Sequence, residues 1–268
     1  MSSMDIIHAL ILGIVEGITE FLPISSTGHL ILTSKLLGIE PTEFVKSFEI
    51  IIQLGAIGAI IALYWRKLLM SWEVMKRIMV GFVPTAVLGL FAYQFIKSLL
   101  GNNEVVLWAL GIGGLLLIFF EQYYQKRDKN LAIIMIAREE AQQVEAISYK
   151  QAFFIGVFQA LAFIPGVSRA AATIIGGLAL GLRRTVAVEF SFLLSVPTML
   201  AASVLDIYKG GGQFSPDQLI SLGIGFITAF VVALLAVKFL LKFIKTHTFI
   251  PFGVYRIALA IVFLIIIL

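Results

Sequence analysis

Two short stretches carry residue types that can do chemistry together. The first reads Glu16-Gly-Ile-Thr-Glu20-Phe-Leu-Pro-Ile-Ser25-Ser26-Thr27-Gly28-His29. Glu16 and Glu20 are four residues apart, so a helix puts both carboxylates on one face. Such a pair can hold a hard divalent cation, Mg2+ or Ca2+, or one of the two can act as a base. Ser25, Ser26, Thr27 and Gly28 form a turn before a following helix, whose free N–H groups would face an anion. His29 is placed to exchange a proton with a hydroxyl or a leaving group.

The second stretch reads Pro165-Gly-Val-Ser168-Arg169-Ala-Ala-Ala-Thr173. Arg169 stands in apolar sequence, where an unpaired guanidinium is costly and needs a partner. Its planar fork suits phosphate oxygens, which it can grip with two parallel hydrogen bonds. Ser168 and Thr173 add hydroxyls beside another helix start. Taken singly, Glu16 and Glu20 also read as half of a structural ion pair with Arg169. Taken together, two Glu, a His, an Arg and several hydroxyls on paired hairpins point to a functional site.

The elements that must position these residues are apolar and unequal. Ten apolar segments stand out: Ile6–Leu22, Leu30–Leu37, Ile50–Trp65, Ile78–Ile96 and Val105–Phe120, then Ala152–Val167, Ala170–Leu182, Val186–Leu205, Leu219–Val237 and Thr248–Leu268. Crossing a bilayer takes about 20 helical residues. Leu30–Leu37 and Ala170–Leu182 fall short, and each follows a segment that ends in a turn bearing Pro23 or Pro165. The pattern predicts two re-entrant hairpins, a geometry tolerated where protein or a watery cavity surrounds the broken backbone.

The halves resemble each other. Gly13-Ile-Val-Glu16 before Phe21-Leu-Pro23-Ile-Ser-Ser26 is echoed, 142 or 143 positions later, by Gly156-Val-Phe-Gln159 before Phe163-Ile-Pro165-Gly-Val-Ser168. Phe48-Glu49 matches Val188-Glu189, and Gly81-Phe82 matches Gly225-Phe226. We read an internal repeat in one polytopic membrane domain, with halves over about 1–120 and 151–268 and a connecting loop over about 121–150. Each half has three long spans plus one short pair, an odd number of crossings, so the second half is inverted. Lys and Arg divide thirteen against four between the two sides. That bias makes the richer side cytoplasmic and sends both termini outward. The hairpins then enter from opposite faces and meet near the midplane.

Composition agrees with this reading. The chain has 268 residues, 60% hydrophobic and 13% charged, where a soluble domain carries about 25% charge. There is no cysteine, which excludes disulfides, thiolate catalysis and Cys-based metal sites. The net charge of +4 is read as loop anchors at the membrane surface, without nucleic-acid binding, since no basic patch is present. Met1–Asp5 lacks a basic n-region, so no cleaved signal peptide is expected. Glu49, Gln53 and Glu189 read as site support or as helix-packing polar groups. His8 and His247 read as interfacial, Lys238 and Arg256 as snorkelling near cytoplasmic helix ends, and Gly111, Gly113 and Gly114 as helix-packing glycines.

The two motif stretches resemble the BacA/UppP family of undecaprenyl-diphosphate phosphatases. The similarity continues through Phe48-Glu-Ile-Ile-Ile-Gln53-Leu-Gly, Glu189-Phe-Ser-Phe-Leu-Leu-Ser-Val-Pro197, Gly225-Phe-Ile-Thr-Ala-Phe-Val-Val-Ala and Phe249-Ile-Pro-Phe. The resemblance implies a bacterial plasma-membrane enzyme that removes the terminal phosphate of undecaprenyl diphosphate, with a link to bacitracin resistance. It places functional roles on Glu16, Glu20, Ser26, His29, Ser168, Arg169 and Thr173, and suggests a site open to the outer face. Ala170 stands where that family usually has a serine.

On this reading Arg169, the helix N-termini and a metal on Glu16 and Glu20 hold the diphosphate. Ser26 is the candidate nucleophile, with His29 or Glu20 as proton acceptor. His29 as nucleophile, or direct attack by water, are the alternatives. A homodimer is one assembly open to such a chain. The rival class is an inverted-repeat transporter or flippase of a phosphorylated lipid or small anion, because broken helices and midplane charges serve transport as well.

Overall fold

The computed structural model describes residues 4–92, 94, 95, 99, 102–135, 144–210 and 214–267, and no side chains at 126–135, 205–210 and 267. Lys97, Arg138 and the side chains of Lys126, Arg127, Lys129 and Lys209, which enter the charge count, lie outside the described residues. The described elements are helical: α1 (Ile6–Thr19), α2 (Ser26–Leu36), α3 (Glu43–Met70), α4 (Trp72–Phe91), α5 (Asn103–Met135), α6 (Tyr149–Gln159), α7 (Arg169–Ala179), α8 (Arg184–Gly210), α9 (Pro216–Phe243) and α10 (Ile250–Ile267). Stretches within α3, α4, α5, α8 and α9 are long and apolar enough to cross a membrane. The chain is a multi-span helical membrane protein, as its composition requires.

Local chemistry sets the breaks. The longest hairpin helix, α1, has 14 residues and so extends about 21 Å, short of a bilayer core of about 30 Å. Asp5 caps α1 by accepting the His8 N–H at 2.8 Å. Beyond α1, Pro23 lacks an N–H and Ser25 takes φ 73°, a conformation that costs a non-glycine residue about 1–3 kcal/mol. In the second hairpin the turn needs Gly166 at φ 90°, where a Cβ would also lie 2.8 Å from the Val106 carbonyl. A Cβ on Gly28 would meet Leu110 at 3.0 Å. Both hairpin tips therefore rest on the same turns of α5.

The helix pairing is unchanged when the halves are exchanged. α1 packs on α9 and α6 on α4, while α5 pairs with α10 and α3 with α8. The equivalent glycines make equivalent contacts. A Cβ on Gly13 would lie 2.7 Å from the Gly225 carbonyl, and one on Gly156 would collide with the Gly81 carbonyl. Each hairpin is thus docked on the other half of the chain, which is what carries the two motifs to one place. Overpacking of this kind costs about 1–3 kcal/mol. Gly156→Ala is expected to lower the melting temperature in detergent by several degrees. Gly223→Ala, where a Cβ meets nothing within 4 Å, is expected to leave it unchanged.

One boundary differs from expectation. Residues 121–135 are not loop but the continuation of α5. The sequence there is polar yet rich in good helix formers, which let the helix run on. Glu121 is buried and paired with Arg184 at the start of α8, so this stretch is tied to the second half.

Candidate active site

The site is built where the two hairpin tips touch. Glu20 caps the end of α1 and is 6% exposed. Its two oxygens reach different partners. Oε2 accepts the Ser26 hydroxyl at 2.7 Å, and Oε1 accepts from Arg169 Nη2 of the second hairpin at 3.2 Å. Arg169 opens α7, lies 5.6 Å above the Phe21 ring, and donates through Nη1 to the Ser191 carbonyl on α8 at 3.0 Å. Its Nε–H has no acceptor. Ser168 caps α7 by accepting the Ala171 N–H at 3.2 Å and donates across the gap to the Leu22 carbonyl at 3.4 Å. Thr173 bonds back to the Arg169 carbonyl at 2.9 Å, and its hydroxyl lies 2.6 Å from that of Ser191.

His29 is buried one turn into α2. Its Nδ1 is 2.7 Å from the Ser25 carbonyl. A carbonyl only accepts, so the ring proton sits on Nδ1. Nε2 then carries the lone pair and accepts the Tyr255 hydroxyl at 2.8 Å. The unusual φ of Ser25 aims this carbonyl at the ring. Ser25 supplies no side-chain cap to α2, so the first N–H groups of that helix keep the orphan donors of any helix start.

Glu16 is fully buried, and among the described residues neither oxygen has a hydrogen-bond donor. Glu20, Glu49 and Arg169 all lie within its electrostatic reach. Ionised together, these three carboxylates would outnumber the one guanidinium, and a cation would offset that charge. Among the described residues no group of three or more His, Asp or Glu is arranged to hold a metal. Two carboxylates nevertheless suit Mg2+, which keeps several waters and completes its shell with substrate phosphate.

The sequence-predicted residues separate in space. Glu16, Glu20, Ser26, Ser168 and Arg169 converge, with Ser25 and His29 beside them. Thr27 is exposed, and Gly28 packs against Leu110. Ala170 is fully buried, so its missing hydroxyl leaves no gap at the tip. Glu189 is a helix tie, pairing with Lys67 of α3 at 3.0 Å. Lys238 is exposed as expected.

Arg256 is the correction. It does not snorkel but is 1% exposed. Its guanidinium donates to the carbonyls of Ala109 at 2.8 Å, Gly166 at 3.1 Å, Leu110 at 3.4 Å and Pro23 at 3.4 Å. One side chain of α10 thereby holds both hairpin turns against α5. It has room because a Cβ on Gly113 would collide with it. The flanking apolar sequence looked like a helix end, whereas the glycines Gly111, Gly113 and Gly114 were the available signal for a large group seated opposite. Ser191 and Tyr255 were also missed: Ser191 lies in a stretch noted only for its similarity, and Tyr255 just beyond another.

Fold and site together define a polytopic helical membrane protein with two broken-helix hairpins locked tip to tip around a carboxylate–hydroxyl–guanidinium chain. The chain belongs to the bacitracin resistance protein BacA family, whose model matches residues 9–262. It is 51% identical to an undecaprenyl-diphosphatase of Sulfurihydrogenibium sp. (strain YO3AOP1) over 260 residues, 97% of this chain and 98% of that one. Identity to the undecaprenyl-diphosphatase of Aquifex aeolicus is 50%, covering 96% of each chain. A relative of the same name from Campylobacter jejuni is 52% identical over 97% of this chain and 94% of its own.

Proposed function

We infer that this protein is an undecaprenyl-diphosphatase, which hydrolyses undecaprenyl diphosphate to undecaprenyl phosphate and inorganic phosphate. It thereby recycles the cell-wall carrier lipid and confers bacitracin resistance. The observation that carries the reading is the continuous chain Ser26–Glu20–Arg169 across the two hairpins. It joins a hydroxyl, a base on that hydroxyl and a phosphate-gripping cation within one buried contact. The full-length relatives of that name support the same reaction.

The chemistry follows from those atoms. Arg169 and the α2 N-terminus bind the oxygens of the terminal phosphoryl group and oppose its negative charge. Ser26 Oγ attacks that phosphorus while its proton passes to Glu20 Oε2. The bond from phosphorus to the bridging oxygen breaks, and undecaprenyl phosphate leaves. Water then cleaves the phosphoserine, releasing inorganic phosphate and restoring the Ser26 hydroxyl. His29 exchanges protons through Nε2. Glu16 and Glu20 would hold a divalent cation, which would supply charge neutralisation of the phosphates. The thirteen-to-four charge bias supports both termini lying outside, and the bacterial relatives support placement in the plasma membrane with the site opening on the outer face.

The test is phosphate release from undecaprenyl diphosphate by the purified protein in detergent with Mg2+. Release is expected without any gradient, and chelation of the metal is expected to suppress it by about 90% or more until Mg2+ is returned. Translocation of the lipid diphosphate in vesicles without hydrolysis would overturn the reading in favour of a flippase.

A further inference from the structure

Tyr255 and His29 are 226 positions apart and meet side chain to side chain. The Tyr255 hydroxyl lies 2.8 Å from His29 Nε2, and the two rings are near parallel, with centroids 5.5 Å apart and planes at 7°. Because Nδ1 faces a carbonyl at 2.7 Å, the proton belongs on Nδ1 and the tyrosine is the donor at the other nitrogen. A neutral imidazole held at both nitrogens has one tautomer and one orientation. Held only at Nδ1, it can swing about its Cβ–Cγ bond until the carbonyl contact is lost, and then exchange tautomers.

We propose that Tyr255 is a positioning residue for His29: its hydroxyl fixes the imidazole with the lone pair on Nε2 and that nitrogen turned toward α10. The proposal deepens the diphosphatase reading and rests on it where activity is concerned.

The placement of α10 makes this contact durable. Arg256, the next residue, is seated among carbonyls from Pro23, Ala109, Leu110 and Gly166. Gly114 and Gly253 let α5 and α10 approach so closely that a Cβ on Gly253 would lie 2.8 Å from the Gly114 carbonyl. The helix cannot slide without breaking these contacts. Arg256 holds the backbone of the hairpin tips, and Tyr255 holds the one titratable ring on the first of them. Tyr255 is 45% exposed, so its ring is not a core filler whose loss would unfold the protein. The hydroxyl is the part with a partner.

Tyr255→Phe keeps the ring and its stacking and removes only the donor. For phosphate release from undecaprenyl diphosphate, kcat is expected to fall about tenfold while KM stays within about twofold. In a His29→Gln background the same substitution is expected to have no further effect. Independently of activity, 15N-histidine spectra of the full-length protein in detergent are expected to show His29 as the Nδ1–H tautomer. A hydrogen-bonded Nε2 resonance is expected to shift in Tyr255→Phe. Equal kcat in wild type and Tyr255→Phe, or an unchanged His29 Nε2 resonance, would overturn the proposal. Absence of phosphate release by the wild type would instead overturn the diphosphatase reading, and the spectra would still decide the role of Tyr255.

Discussion

Arg169→Gln is expected to lower kcat/KM for undecaprenyl diphosphate by about a thousandfold, roughly 4 kcal/mol of transition-state stabilisation. The size follows from two losses at one atom group. The substitution removes the fork that grips the phosphoryl oxygens, and it removes the cation that Glu20 faces at 3.2 Å. Without it, the Glu20 carboxylate has no guanidinium beside it, and its charge repels an anionic substrate. Arg169→Lys keeps the charge but not the planar geometry, so a loss of about a hundredfold is expected. Kinetics on purified variants, beside a melting curve for each, check both. Retention of wild-type kcat/KM in Arg169→Gln would remove the residue from phosphate binding and leave it as a structural partner of Glu20.

Arg256→Met is expected to damage the fold first and activity through it. The guanidinium satisfies turn carbonyls at Pro23 and Gly166 that have no other side-chain donor among the described residues. Leaving a buried acceptor unsatisfied costs about 1–3 kcal/mol, so two amount to roughly 3 kcal/mol. A shift of melting temperature of about 10 °C is expected from that size of loss. Activity is expected to fall at least tenfold even at temperatures where the variant is folded, because the tips lose the register that joins Ser26–Glu20 to Arg169. Cross-linking between the hairpin turns would report the loosened register directly. A variant as stable and active as wild type would show that the carbonyl contacts carry no weight.

How much of this was legible in the sequence depends on where the partners lie along the chain. Glu16, Glu20, Ser26 and His29 fall within fourteen positions, so a helix period and a turn suffice to group them. Arg169 was legible as a costly intramembrane cation that needed a partner, and the repeat supplied the reason for it to meet the first hairpin. The glycine matches Gly13 with Gly156 and Gly81 with Gly225 proved to be the docking contacts of those hairpins. Contacts without local pattern stayed hidden. Ser191 and Tyr255 act from the middle of apolar helices. Arg256 has no acid one turn away to mark it as buried and finds carbonyls instead, a partner that no sequence pattern records. The loop boundary at 121 was misplaced because polarity was taken to end a helix, whereas α5 runs on past the apolar segment and ties down Glu121 with Arg184.

Hydrolysis by this route requires Ser26 as the nucleophile. Its hydroxyl is the atom that the hydrogen bond to Glu20 at 2.7 Å prepares to attack, and Ser26→Ala removes that atom while leaving the Glu20–Arg169 contact intact. The direct measurement is inorganic phosphate released from undecaprenyl diphosphate by purified Ser26→Ala in detergent with Mg2+, at a melting temperature matching wild type. A rate below about one thousandth of wild type is the predicted result. A near-normal rate would contradict the account, since the two hairpins would then meet for some purpose other than delivering this nucleophile.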